Sequence, residues 1–270
     1  MPADTLAAAL RSSAAIDLTL LLAEDLPCTW PRAARYRHTT DHWFETTDGR
    51  TPLRRWSGVP YHSCVLELDE HTGTHFDAPS HFIAPPRSDL PNEGPAGELT
   101  AEKVPVEQFL GPAAVLDVRN LVGQAAPGAS ARIEPAHVRA FEERHGPVEA
   151  GEVVLFHSHW DTRYLPGRAG DRYLHRPLVV GDEPGWPAPS AATIELLLER
   201  GVRCVGTDGV SMGPVDDGVP THLAGLGAGM VFVEALGNLD RLPPRGAVFL
   251  FLPLPIAGGS GGPGRAVAFV

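Results

Sequence analysis

Residues 71–81 read HTGTHFDAPSH, which places three histidines and one aspartate within eleven positions. Imidazole nitrogens and carboxylate oxygens are the donors that hold zinc or manganese, and two imidazoles with one carboxylate leave an open coordination position. A cation held in that way brings the pKa of a water molecule down to about 7. His71, His75 and Asp77 fall at even offsets. An uninterrupted strand would put them on one face but would hold the two histidines about 13 Å apart. Ligand bonds of about 2.0 to 2.2 Å require closer convergence, so the backbone is expected to fold back between them. Gly73 enters the left-handed region cheaply and marks the expected bend. Pro79 holds Ala78 extended, which is expected to end any helical turn before His81. His81, four residues beyond the aspartate, can then act as general base and acid beside the water. Burying all four groups without a cation would strand polar atoms at about 1–3 kcal/mol each.

The pattern H-x-G-T-H-x-D-A-P-x-H resembles the signature of the metal-dependent cyclase-like hydrolase family, that of kynurenine formamidase and isatin hydrolase, and all eight of its fixed positions are present. Weaker similarity runs from about Ile16 to the C-terminus, through AIDLTLLLAEDLPCTWP, VVLFHSHW and VGTDGVSM. The resemblance implies His71, His75 and Asp77 on a first metal ion, Asp77 bridging to a second, and His81 as the catalytic acid/base. The second ion would take a histidine and a glutamate twelve residues later, an interval that His222 and Glu234 supply. One or two divalent ions per chain, Zn2+ or Mn2+, and a homodimer or homotetramer are implied as well. Two of these residues stand out without the family. Glu234 interrupts the apolar run MVFVEAL, where an ionised carboxylate is expensive unless paired or bound to metal. His222 follows Thr221 at an expected helix start, where a histidine has no evident local task.

The elements that must position these groups read as strands broken by glycine and proline. The 29 glycines and 27 prolines are spread along 270 residues, which signals many turns. Apolar strands are expected in AAIDLTLLL, SCVLELD, EVVLFHSHW, VRCVG, MVFVEAL, AVFLFLPLP and RAVAFV. A helix is expected with Pro135 in its first turn, Val138 and Phe141 on one face and Gly146 as its stop. A second is capped by Ser190 and closed by Gly201. The expectation is therefore an α/β chain, residues 1–270 as a single domain, with a mixed, barrel-like curled β-sheet flanked by a few helices. Residues 84–96 and 162–190 read as long loops that line a site or a subunit contact.

A formal net charge of −11 and the absence of any Lys/Arg-rich run argue against nucleic acid and against anionic membrane surfaces as partners. The apolar start, AAIDLTLLLAEDLP, is interrupted by Asp17 and Glu24 and preceded by no basic region. It reads as neither a signal peptide nor a membrane span. Cys28, Cys64 and Cys204 form no C-x-x-C pair and read as buried small hydrophobes of a cytoplasmic protein.

The resulting expectation is hydrolysis of a small amide, lactam or formyl-amide C–N bond by a metal-activated water, with His81 as general acid/base. The alternative is a metal-dependent cyclase or tailoring enzyme that closes a ring without net hydrolysis. Trp30, Phe82 and Trp160 are candidates to wall an aromatic substrate pocket. His157 and His159 alternate along a strand as solvent-facing groups, pocket groups or extra metal ligands, and Asp208 ends a strand where it can orient a ligand histidine or cap a turn. GVSMG and GGSGG both fit G-x-S-x-G, but Pro214 and Pro263 follow where a nucleophile elbow would run into a helix. Trp30 and Pro31 continue as RAARY, and residues 37–62 are longer than the compact formamidases need, which favours a larger lactam or a specialised substrate over N-formylkynurenine.

Overall fold

The computed structural model describes residues 3–44 and 61–270; residues 45–60, the middle of the long 37–62 segment, lie outside the described residues. In chain order the strands are β1 (Ala15–Asp17), β2 (Arg37–Trp43), β3 (His62–Glu67), β4 (His75–Asp77), β5 (Leu110–Asp117) and β6 (Arg132–Ile133). They continue with β7 (Val153–His157), β8 (Ala188–Pro189), β9 (Cys204–Thr207), β10 (Val231–Glu234), β11 (Val248–Pro253) and β12 (Gly261–Phe269). The α-helices are α1 (Ala3–Ser12), α2 (Pro135–His145), α3 (Ala191–Glu199) and α4 (Val219–Leu226).

Strands β5, β7, β9 and β10 run parallel, and their near-continuous Val, Leu and Phe content is that of strands covered on both faces. Antiparallel β4, β12 and β11 then lead from β10 back to β5, so seven strands close into a barrel-like ring, with β1 added along β12. The expected mixed, curled α/β sheet is the one observed. Alternation along the strands separates two cores. Phe76, Val115, Leu155, Val233, Phe249 and Phe251 fill the ring, whereas Ala114, Leu116, Val154, Phe156, Val205 and Phe232 face outward and meet Val138, Ile194, Leu197 and Leu226 of the helices.

Local signals account for the helices. Pro135 starts α2, Gly146 with φ of 86° follows it, and the Ser190 hydroxyl accepts the Thr193 N–H at the start of α3. Four strand or helix readings need correction. Of AAIDLTLLL only Ala15–Asp17 forms a strand, with Thr19 in an isolated bridge to Leu236, and β12 starts at Gly261, four residues before RAVAFV, because pairing with β4 and β11 recruits a glycine-rich stretch. Helix α1 and strand β2 were not expected; β2 pairs only with β3, in a ribbon outside the ring.

Phe109 tests the interior. It is 1% exposed and stacks edge-on to Phe76 at 4.9 Å between ring centroids. Phe109→Ala is expected to lower the unfolding free energy by about 3–5 kcal/mol, read from urea denaturation, with the native far-UV spectrum kept.

Candidate metal centre

The register of two short strands brings the centre together. On β4, Phe76 points into the ring, so His75 and Asp77 point out; on β10, Val233 points in and Glu234 points out. His75 lies directly across from Glu234 in the antiparallel pair, and cross-strand partners share a face. His222, at the end of the first turn of α4, comes down onto the same outward face. The bend expected at Gly73 is present, with φ of 63°, and it returns His71 to Asp77. Gly73 also lies against Leu22, whose Cδ2 would stand only 2.3 Å from an added Cβ. Ala78 is extended as expected, at φ −78° and ψ 156°. The turn does not end before His81, however: Pro79 opens a 3-10 turn, Pro79–His81, that carries His81 itself, since proline suits a first helical position.

Four of the groups are buried. His75, Asp77, His222 and Glu234 are each at most 5% exposed, and their atoms interlock. His75 Nε2 stands 3.5 Å from both Asp77 Oδ1 and Glu234 Oε2; His222 Nε2 stands 3.6 Å from both Asp77 Oδ2 and Glu234 Oε1. Two donors each about 2.1 Å from one tetrahedral ion stand about 3.4 Å apart, so these separations suit a shared cation. The other ring nitrogens are already committed: His75 Nδ1 is 2.8 Å from the Gly73 carbonyl and His222 Nδ1 is 2.7 Å from that of Gly218. Carbonyls only accept, so both Nδ1 atoms carry protons and both Nε2 atoms are the ones turned to the carboxylates. His71 Nδ1 lies 2.9 Å from Asp77 Oδ1. Ligand-capable atoms of His75, Asp77 and Glu234 converge as one group and those of His71, Asp77 and His81 as another, with Asp77 in both.

Electrostatics shows the same demand for positive charge. Burial alone would depress the His75 imidazole, but Asp77 and Glu234 on either side push it up to about 10. Burial likewise opposes the charged form of His222, and the same two carboxylates raise it. Asp77 is held well below the ordinary carboxylate range: burial would raise it, and the charge of His81 with hydrogen bonds from His71 and His75 overcomes that. Glu234, pushed up by burial and by Asp77, is brought below its ordinary value by His222 and His75. The space between the carboxylates is thus built for cationic charge, and the Asp, Glu and His donors around it fit a divalent ion.

His81 differs from the other three histidines. Its residue surface is open, while its ring lies between His71 at 4.1 Å and Phe82 at 4.9 Å. Desolvation there lowers its pKa and the nearby charge of His71 adds to that, although Asp77 opposes it. These groups form the floor of a cavity of about 430 Å³. Trp30 and Phe82 line it as expected, Phe82 stacking on the His222 ring at 4.2 Å and 11°. Trp160 does not: it is 1% exposed and packs behind Trp186, which takes the wall position, while its Nε1–H donates to the Tyr173 carbonyl. Tyr173, Trp186 and Leu178 bring the 162–190 segment to the cavity, whereas 84–96 does not reach it. His157 and His159 also stand apart from it. Asp208 caps a turn, accepting the Ser158 and His159 N–H groups, and its burial pushes it up to about 7.

Two serines of the G-x-S-x-G stretches, weak nucleophile candidates by sequence, stand beside the centre. Ser211 Oγ is 3.3 Å from Glu234 Oε1 and 3.4 Å from His222 Nε2, and Ser260 Oγ is 3.0 Å from His71 Nε2. Neither opens a helix in the nucleophile-elbow manner: Pro214 follows the stretch that carries Ser211, and Ser260 leads into β12.

Residues 16–214 match the sequence model of the family described as "Putative cyclase". An isatin hydrolase of Roseibium aggregatum is 32% identical over 212 residues, which cover 76% of this chain and 73% of that protein. A kynurenine formamidase of Salinibacter ruber is 32% identical over 208 residues, covering 75% of this chain and 77% of that one. Among solved structures, isatin hydrolase A from Labrenzia aggregata bound to benzyl benzoate aligns with a TM-score of 0.77 at 28% identity, over 99% of this chain and 98% of that chain. The family match spans β2 to β9 and takes in residues 71–81, and the chain belongs to the cyclase family.

Proposed function

We propose that the chain is a metal-dependent hydrolase that cleaves a small amide, lactam or formyl-amide C–N bond. The observation that carries this reading is the contrast among the histidines: His75 and His222 are each fixed by a backbone acceptor and aimed at Asp77 and Glu234, while His81 stands beside them without such an anchor among the described residues. His71, His75, Asp77, His222 and Glu234 would hold one or two ions, Zn2+ or Mn2+, with Asp77 able to serve both through its two oxygens. A divalent ion supplies Lewis acidity there, polarising a carbonyl and easing deprotonation of water.

The chain's own residues do the rest. His81, whose pKa is lowered by desolvation, takes a proton from the attacking water and returns it to the departing nitrogen, so that one water adds across the C–N bond. Trp30, Phe82, Trp186 and Val210 offer flat apolar walls, which suit an aromatic or bicyclic amide rather than an extended peptide. The relatives' names, isatin hydrolase and kynurenine formamidase, describe such substrates and favour hydrolysis over ring closure without net water. For assembly we keep the homodimer or homotetramer, on the exposed Trp43, Val65 and Leu66 of the β2–β3 ribbon, since two-stranded ribbons are marginal alone. No described helix is long and apolar enough to cross a membrane. The cytoplasm remains the proposed location, on three thiols that stand free.

Removing metal with chelator is expected to abolish turnover of cyclic and formylated arylamides, and zinc or manganese is expected to restore it with a product heavier by one water. Turnover that survives complete demetallation would refute the reading, and a product of unchanged mass would favour cyclisation. His81→Ala is expected to keep its metal and lose about 10²–10⁴-fold in kcat, whereas His75→Ala loses metal and turnover together. Equal metal loss in the two variants would make His81 a ligand instead. Because metal-free His75 keeps its second proton up to about pH 10, metal binding at pH 7 is expected to release protons and to weaken as pH falls. Calorimetry in buffers of different ionisation enthalpy reads that release directly.

A further inference from the structure

The GGSGG stretch at 258–262 is not accounted for by the reaction, yet it touches a proposed ligand. Ser260 Oγ donates to Glu70 Oε1 at 2.5 Å, and the Ser260 N–H reaches the same carboxylate at 3.1 and 3.2 Å. A serine hydroxyl has one proton, and here it goes to Glu70. Toward His71 Nε2, at 3.0 Å, Ser260 Oγ can therefore only accept, so Nε2 carries a proton and Nδ1, the nitrogen facing Asp77, is left as the one that can give a lone pair to metal. The flanking glycines allow this contact. A Cβ on Gly259 would stand 2.8 Å from Glu70 Oε2, and one on Gly261 would stand 2.7 Å from His71 Cε1 and 2.4 Å from the Phe76 carbonyl. The loop lies flat on Glu70 and His71 because it has no side chains at 259 and 261.

We infer that Glu70 and Ser260 are positioning residues, a carboxylate–hydroxyl relay that fixes the tautomer and orientation of His71 for metal. His75 and His222 receive the same service from backbone carbonyls, which no side-chain substitution removes. His71 alone depends on a side chain, and an anionic one stands behind it. Partners of this kind raise ligand basicity, and their loss costs about 10–100-fold in metal affinity. The inference rests on the metal-centre reading proposed above, and it assigns Ser260 no covalent step.

The test is metal affinity of the full-length protein, stripped and then titrated with Mn2+ or Zn2+ against a competing chelator. Ser260→Ala is expected to bind about 10–100-fold more weakly, and Glu70→Gln, which keeps an acceptor for the hydroxyl but not the charge, about tenfold more weakly. At saturating metal, kcat of Ser260→Ala is expected to return to within a few-fold of wild type. Phe141→Ala thins the core beneath α2, a helix that contributes no residue to the cavity lining, and is expected to lower stability with metal affinity unchanged, which separates a general loss of stability from loss of the relay. Wild-type affinity in Ser260→Ala would overturn the inference, as would full metal loading without turnover, which would put the serine in the chemistry. If Ser260→Ala does not fold, Glu70→Gln decides, and unchanged affinity there overturns it. A wild-type protein that binds no metal would refute the metal-centre reading itself, a result distinct from either of these.

Discussion

Two buried carboxylates on adjacent strands set the terms for everything around them. Asp77 and Glu234 face the same way with His75 and His222 between them, and both are nearly inaccessible to water. Like charges so placed are tolerated only with positive charge in the space they share, because desolvation of each costs several kcal/mol. In the metal-free chain protons on the imidazoles meet that need; a divalent ion meets it with fewer bodies. The barrel serves this constraint by holding register. β4 is three residues long, and alone it could slip; it is clamped by β10 on one side and by β12 on the other. A shift of one residue would send His75 and Asp77 into the apolar interior and bring Phe76 out.

The motif residues that are not donors hold the donors in register. The Thr74 hydroxyl donates to the Ala235 carbonyl at 2.5 Å and accepts the Leu20 N–H at 2.9 Å, tying the start of β4 to the residue after Glu234. The Gly73 N–H donates to the Cys28 carbonyl at 2.7 Å, which draws the bend toward the segment carrying Trp30. Pro79 turns the chain so that His81 and Phe82 come round to the cavity. Spacing of donors and rigidity of the backbone between them are thus written in the same eleven residues.

That local density explains why the first cluster was legible in the sequence and much of the rest was not. The ligand candidates in 71–81 depend on a turn whose glycine and proline are visible in the text of the chain. Glu234 was legible for another reason, as a charge inside an apolar run. Trp160 misled because a strand followed by a tryptophan looks the same whether the ring faces a cavity or lies behind the ring that does; Trp186, in a long irregular loop, took the wall. The start of β12 was invisible because Gly261 and Gly262 have no strand propensity and pair only through tertiary context. Ser260 and Glu70 are 190 residues apart, and no local rule joins them.

On the proposed reading, the arrangement would let one site combine rigidity with proton transfer. A ligand histidine is most effective when its second nitrogen is tied, since free rotation would carry the lone pair away from the metal. A proton carrier is effective under the opposite condition: its ring must exchange protons with water and with a leaving group in turn. His75 in the barrel wall and His222 on α4 meet the first condition, each with its Nδ1 tied to a backbone carbonyl, while His81, on a surface turn against the Phe82 and His71 rings, meets the second. Phe82 links the two environments, one face stacked on His222 and its edge toward His81. A substrate settling against Trp30 and Phe82 would shut water away from the fixed histidines before His81, so enclosure strengthens the electrostatic grip on the reacting carbonyl while leaving the proton path open.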